Sequence, residues 1–232
     1  MKPILTTQEH YDRLAEMGND LNDPPEALEY MARWDGPPFW KAIGDSREKD
    51  ILEIGIGTGR IACQLLKHGC RSLTGLDISP KTIEAAKSQL SDFSNTKLIL
   101  ADITEFCQPT SFDIACSVLT FMHIQDKSRA LGNIVNCLRP GGHLVVSIDN
   151  ASDSFDFGEW EIPLYPWAPE RYTQVLGSMG CQVDAPIPLI DKWIDPQGKK
   201  SETYGQEIAA LIKATKRKGL LTKEFRRTAS VR

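Results

Sequence analysis

Apolar positions along the chain recur with two different periods. Between residues 50 and 150, short β-rich runs alternate with segments whose apolar residues return every three or four positions, the pattern of a parallel sheet covered on both faces. Strands are expected over 51–55, 72–77, 97–102, 113–118 and 143–148. Between the first two, residues 58–68 place Ile61, Ala62, Leu65 and Leu66 on one helical face and stop at Gly69. Ser79-Pro80 supplies an N-cap and a first-turn proline for a helix through Leu90. A helix capped near Asp126 carries Ala130, Leu131, Ile134, Val135 and Leu138 inward and ends at Arg139-Pro-Gly-Gly142. Ahead of the first strand, Asp23-Pro24-Pro25-Glu26 reads as N-cap, proline and capping-box glutamate of a helix with Ala27, Leu28, Met31 and Ala32 on one face. A second short helix follows Gly36-Pro37-Pro38 with Phe39, Trp40 and Ile43. After the fifth strand an aromatic and acidic connection, 150–167, precedes a helix over 169–180 and two last strands near 182–190 and 201–214.

Composition adds little to this pattern, and charge adds more. With 232 residues, 41% hydrophobic and 25% charged, the chain has the proportions of an ordinary globular protein and suits one large domain. The expected division is an N-terminal helical lid over 1–44, the body over 45–215 and a basic tail over 216–232. From Lys213 to Arg232 eight residues are basic and one is acidic, so the net charge of −4 averages a +7 end and a −11 body. Such a body repels a phosphate backbone, which argues against nucleic acid as a partner. The six cysteines include no C-x-x-C pair, which argues against zinc and a redox dithiol, and most of them read as buried small hydrophobes. No apolar run reaches the length of a signal peptide core or a membrane span, so the expectation is a reduced, cytoplasmic protein without a membrane partner.

The chemistry concentrates at Glu53-Ile-Gly55-Ile-Gly57-Thr-Gly59, a glycine-rich turn from strand to helix. Glycine permits positive φ and close approach of a ligand, and the helix start presents free N–H groups. A dinucleotide fingerprint beginning at Gly55 would need glycine or alanine at position 60, where Arg60 stands. Glu53 would also repel a pyrophosphate on that loop, which makes a nicotinamide-dependent oxidoreductase the weaker alternative and suits a ligand that carries positive charge. Asp77 ends the second strand, where a carboxylate can accept both hydroxyls of a ribose, and Asp102 ends the third, within reach of an adenine amino group. Each feature has a plainer explanation: a tight turn, turn-forming acids, or Glu53 paired with Arg60.

Together with Phe112-Asp113 and Leu138-Arg-Pro-Gly-Gly142, this set resembles the class I S-adenosylmethionine-dependent methyltransferase family over about residues 50 to 150. The resemblance implies an α/β fold with a doubly wound, seven-stranded, mostly parallel sheet (Rossmann-like), strand order 3-2-1-4-5-7-6, the last strand antiparallel, with an N-terminal helical lid. It also implies S-adenosylmethionine as cofactor, with Glu53, Gly55, Gly57 and Gly59 around its methionine part, Asp77 at the ribose, Asp102 at the adenine, and Ile78, Ile103, Val118 and Leu119 beside them. Ser117-Val-Leu-Thr-Phe-Met-His-Ile124, Tyr11-Asp12 and Arg33-Trp34-Asp35-Gly36 resemble a bacterial group within the family that acts on small molecules. The implied activity is methyl transfer to a small-molecule acceptor. A non-catalytic cofactor-binding or partner-binding module is the alternative.

A sulfonium already makes its methyl group electrophilic, so the protein has to align a nucleophile and, for a hydroxyl, thiol or protonated amine, receive a proton. His123, just past the fourth strand, is the first candidate base, and Tyr11, on the lid, is the second; both also read as packing residues. His143 reads as structural. Trp34, Phe39 and Trp40 read as core, while Phe155, Phe157, Trp160, Tyr165 and Trp167 lie in a connection placed to wall a substrate site. Asp149-Asn150 resembles half of the magnesium site of catechol-type members, but Ser117 stands where that site needs an acid, so no metal is expected.

Overall fold

The computed structural model describes residues 2–17, 25–149 and 152–219, with the backbone alone for 25–28. The expected cap at Asp23-Pro24, Asn150 and the basic residues from Lys223 onward lie outside the described residues.

The elements in chain order are α1 (Thr7–Glu16), α2 (Pro25–Asp35), α3 (Pro37–Ile43), β1 (Asp50–Ile54), α4 (Arg60–Lys67), β2 (Ser72–Asp77), α5 (Pro80–Gln89), β3 (Thr96–Leu100), β4 (Phe112–Val118), α6 (Lys127–Cys137), β5 (Leu138–Asp149), β6 (Ser154–Asp156), β7 (Glu161–Pro163), α7 (Pro169–Ser178), β8 (Cys181–Val183), β9 (Ile187–Ile190) and β10 (Glu207–Lys216). The main sheet runs β3-β2-β1-β4-β5-β10-β8, with β1 to β5 parallel and β10 antiparallel to β5. This is the expected order, β8 and β10 standing as sixth and seventh strands.

Both faces of the sheet are covered because neighbouring strand residues point opposite ways. In β1, Leu52 and Ile54 join a core with α6 and α7, while Ile51 joins a second core with α3 and α4. Glu53 shares the face of Ile51, which is how a carboxylate comes to be buried beside α2 and α4.

Several local signals act as the sequence suggests. Ser79 caps α5 by accepting from the Thr82 N–H, and Asp126 caps α6 through the Arg129 N–H. The Arg139-Pro-Gly-Gly142 turn is absorbed into β5 as an irregular stretch between the Phe112–Leu138 and Ile114–His143 pairings. Gly142 is required there, since a Cβ would lie 2.8 Å from the Asp113 carbonyl oxygen.

Four features differ from expectation. The strand expected over 182–190 is two, β8 and β9, which line the outer edge of β10 in tandem. The break holds Pro186, which has no N–H for a ladder, and the chain is pinned there by the Asp184 N–H donating to the Lys213 carbonyl (3.0 Å). The last strand begins at Glu207 rather than 201, because Ser201 and Thr203 are drawn into hydrogen bonds with the Asp191 carboxylate. Lastly, α1 and the β6–β7 hairpin have no counterpart in the periodicity, although Thr6 and Glu9 form a complete capping box at the start of α1. Lys216, counted with the basic tail, is the last residue of β10 and is buried, its Nζ donating to the Val135 and Leu138 carbonyls. No helix among the described residues is long and apolar enough to cross a membrane.

Candidate active site at the carboxyl edge of the sheet

The β1–α4 turn is shaped by its glycines. Gly55 (φ 68°) could not be any other residue without displacing Thr120, whose Oγ1 would lie 2.1 Å from an added Cβ. Gly57 (φ 56°) faces open space on its Cβ side, and its N–H donates to Asp77 Oδ2 (3.1 Å). The Ser79 N–H donates to Asp77 Oδ1 (3.0 Å), so the carboxylate at the end of β2 holds the turn from below. Burial raises the Asp77 pKa despite these bonds.

Above this turn lies a cavity of about 890 Å³. Its wall brings together Glu53, Gly55, Gly57, Asp77, Ile78, Asp102, Ile103, Val118 and Leu119 with Tyr11 and His123. Gly59 is absent from that wall. It caps α4 in the left-handed region (φ 94°), where a Cβ would press on Leu90 at 2.9 Å, so its role is packing.

Glu53 is buried, and its Oε2 has no hydrogen-bond partner. Burial pushes its pKa up to about 8; Arg60 opposes the rise and the nearby Asp35 and Asp77 add to it. Arg60 forms its ion pair with Asp35, the last residue of α2, rather than with Glu53. Asp102 is exposed at the opposite end of the wall, its Oδ1 accepting from the Thr104 N–H (2.7 Å).

The facing wall is built by α1 and by the turn after β4. Leu119 takes φ 53°, unusual for a branched side chain, and turns the chain out of β4 into the short 3-10 turn Phe121–His123. His123 Nε2 lies 3.0 Å from the Tyr11 hydroxyl, so the two candidates, 112 residues apart in sequence, form one pair. Nδ1 of His123 is buried without a partner, and burial, with His10 and Lys127 nearby, lowers the imidazole pKa to about 4. A neutral ring with hydrogen on Nδ1 accepts at Nε2 from the Tyr11 hydroxyl.

Helix α1 is fixed over the cavity from several sides. Trp160 Nε1 donates to His10 Nδ1 (3.0 Å), Ser79 Oγ donates to Asp12 (2.6 Å), Arg13 pairs with Glu159 (2.9 Å), and Lys81 pairs with Glu16. The preceding strap pairs with β7, the Leu5 N–H donating to the Glu161 carbonyl (3.0 Å).

The aromatic connection after β5 corrects an expectation. Of its rings only Tyr165 lines the cavity; Trp160 is buried beneath α1, Phe155 and Phe157 face outward, and Trp167 packs on Tyr172. Trp34 and Phe39 are core, and His143 is spent on the Ile43 carbonyl (3.0 Å). Wall residues that the sequence pattern does not assign to the site include Arg60, Gln125 and the strap 4–8. Arg60 is visible as the first residue after the glycine turn; nothing local in the sequence ties residues 4–8 to 163–165. Among the described residues no group of three His, Cys, Asp or Glu side chains could hold a metal.

Residues 52–146 match the methyltransferase-domain family. The chain is 35% identical over 158 residues to an O-methyltransferase of Aspergillus nomiae, a match that spans 59% of this chain and 68% of that protein. The chain belongs to the class I S-adenosylmethionine-dependent methyltransferases. It is also 32% identical over 117 residues to malonyl-[acyl-carrier protein] O-methyltransferase 1 of Ilyobacter polytropus, spanning 50% of this chain and 44% of that one. The chain thus spans about half to two thirds of the length of these curated relatives. Its fold is similar to that of the N-methyltransferase NodS of Bradyrhizobium japonicum, solved with S-adenosyl-L-homocysteine (TM-score 0.66, 19% identity, 92% of this chain and 100% of that one).

The residues present fit such a cofactor. An unpartnered buried carboxylate oxygen on Glu53 matches an α-ammonium, the open side of Gly57 admits a ligand against the backbone, and Asp77 keeps lone pairs for a ribose beyond the two N–H groups it already binds.

Proposed function

We propose that the protein transfers a methyl group from S-adenosylmethionine to a small-molecule acceptor in this cavity. The observation that carries the reading is one cavity with the acids and glycines on one wall and the hydrogen-bonded Tyr11–His123 pair on the other. Glu53 holds the α-ammonium, Gly55 and Gly57 present backbone to the methionine part, Asp77 accepts the ribose hydroxyls, and Asp102 accepts from the adenine amino group, with Ile78, Ile103, Val118 and Leu119 as apolar flanks. When bound, the cofactor supplies an electrophilic methyl on a sulfonium. The protein's own work is alignment for in-line attack, exclusion of water by α1, and proton handling. Tyr11 accepts the acceptor's proton while its own passes to His123 Nε2.

The cavity volume lies within the range of small-ligand sites, about 300–1,000 Å³, which supports a small acceptor over a macromolecule. The six free thiols are in keeping with a reducing, cytoplasmic location. The test is incubation of the full chain with methyl-labelled S-adenosylmethionine and a fractionated metabolite extract. Label should appear in a low-molecular-weight product. Cofactor binding without label transfer would favour a non-catalytic module.

A further inference from the structure

We propose that the acceptor is an uncharged hydroxy compound with a largely apolar body, of the phenol class, and that the site disfavours carboxylates and phosphates. This rests on the methyl-transfer reading above. The acceptor is placed at the Tyr11–His123 pair; the cavity wall also holds Met122, Ile124 and Gln125, which flank or follow His123, Leu5 and Gln8, which precede Tyr11, and Pro163. Such walls remove an apolar body from water and offer hydrogen bonds without charge.

The charges around this space are the wrong sign for an anion. Among the described residues, Arg60 is the one lysine or arginine on the cavity wall, and it stands at the glycine turn, paired with Asp35. Lys127, the neighbouring cation after the His123 turn, is buried, with Nζ spent on the Ile124 carbonyl (2.6 Å) and the Tyr165 carbonyl. Segments 18–24 and 150–151 contain no lysine or arginine. The described end of β10 leaves the sheet at Lys216, beside the pairing of Thr215 with His143, which is the edge opposite the cavity. Of the acids on the wall, Glu53, Asp77 and Asp102 face the cofactor, and Asp126 is left on the side of the His123 turn. A carboxylate or phosphate acceptor would lose its hydration here and gain no lysine or arginine as countercharge.

A protonated amine would be attracted, but it must give up a proton before its lone pair can attack. The imidazole it would give it to is neutral and held near 4, a weak proton acceptor. A hydroxyl keeps a lone pair throughout. Its oxygen forms the new bond to carbon as the carbon–sulfur bond breaks and that electron pair returns to sulfur. Forming that bond makes the hydroxyl proton far more acidic than that of an ammonium, so even a weak base takes it: it moves to the Tyr11 oxygen as the Tyr11 proton moves to His123 Nε2, and the proton reaches solvent when the methyl ether leaves.

The test uses four probes that share one ring and differ in one group: naphthol, naphthylmethylammonium, naphthoate and naphthyl phosphate. Each is titrated calorimetrically into the full chain saturated with S-adenosylhomocysteine. Naphthol should bind at least about tenfold more tightly than each of the others, a difference of about 1.4 kcal/mol. Equal or tighter binding of any charged probe overturns the proposal, and so does failure of all four to bind. Failure of S-adenosylhomocysteine itself to bind overturns the cofactor reading instead. A Gln8→Arg variant, at an exposed position on α1 that needs no repacking, should shift the naphthoate-to-naphthol affinity ratio toward naphthoate by about tenfold. An unchanged ratio would count against the proposed place of the acceptor.

Discussion

Glu53 is the residue at which folding and function pull hardest against each other. Its folded pKa, about 8, lies above the ordinary 4.5, so the fold favours the protonated form. The stability it contributes is complete below its ordinary value and is lost as pH rises toward 8, at about 1.4 kcal/mol for each pH unit crossed. Glu53→Gln should therefore unfold at higher denaturant than the parent at about pH 8, by a few kcal/mol, with the difference vanishing near about pH 4. The same variant should bind S-adenosylhomocysteine more weakly, since the amide carries no charge for an ammonium. Denaturation midpoints that do not diverge with pH would mean that the carboxylate finds a partner in the fold. At His123 the pKa moves the other way. The ring stays neutral until about 4, instead of the ordinary 6.5, so the acid limb of kcat/KM should fall near 4, where the free enzyme's base titrates. An acid limb near 6.5 would place the titrating base elsewhere. Stability should already decline as pH falls from about 6.5 to about 4, because His10, also lowered to about 4, takes up a proton on unfolding throughout that window.

At the scale of elements, α2 is the staple. Its last turn places Arg33 against Asp191 (2.7 Å, both side chains buried) and Asp35 against Arg60, so one helix ties the glycine turn to the β9–β10 connection. Removing one partner of a buried pair strands the other charge, at a cost of about 3–5 kcal/mol. Asp35→Ala should lose stability of that order in urea unfolding; a loss below about 1 kcal/mol would show that Arg60 reaches solvent freely. The Arg33-Trp34-Asp35-Gly36 segment is visible in the sequence, but its partners are not, because each lies in another element. The same distinction holds across the fold. The parallel strands, the Ser79 and Asp126 caps and the glycine turn are legible, since period, cap and turn chemistry are local. The break between β8 and β9 is half-written in Pro186, and the start of α1 in its capping box. The β6–β7 hairpin, three residues a side, is too short to show a period. At the site, Glu53, Gly55, Gly57, Asp77 and Asp102 can be picked out because a single turn and two strand ends carry them. Tyr11 and His123 can be named separately, but only the packing of α1 against Ser79, Lys81 and Trp160 makes them a pair.

For the whole molecule, the excess of acid in the body is partly spent. Glu53, Asp77 and Asp102 converge at the carboxyl edge of the parallel strands, and the described part of the basic end departs from the opposite edge. The two cores on either face of the sheet hold those strand ends rigidly, and the cavity wall is completed by a helix from the other end of the chain. Calorimetric titration of the full chain with S-adenosylhomocysteine, beside NAD and beside the Asp77→Ala variant, asks whether this wall recognises an adenosyl amino acid. The outcome expected of that reading is saturable one-to-one binding of S-adenosylhomocysteine, no comparable binding of NAD, and a loss of about 3 kcal/mol, near 100-fold, in Asp77→Ala. Tight NAD binding without a response to S-adenosylhomocysteine, or an Asp77→Ala variant that binds as the parent does, would contradict it.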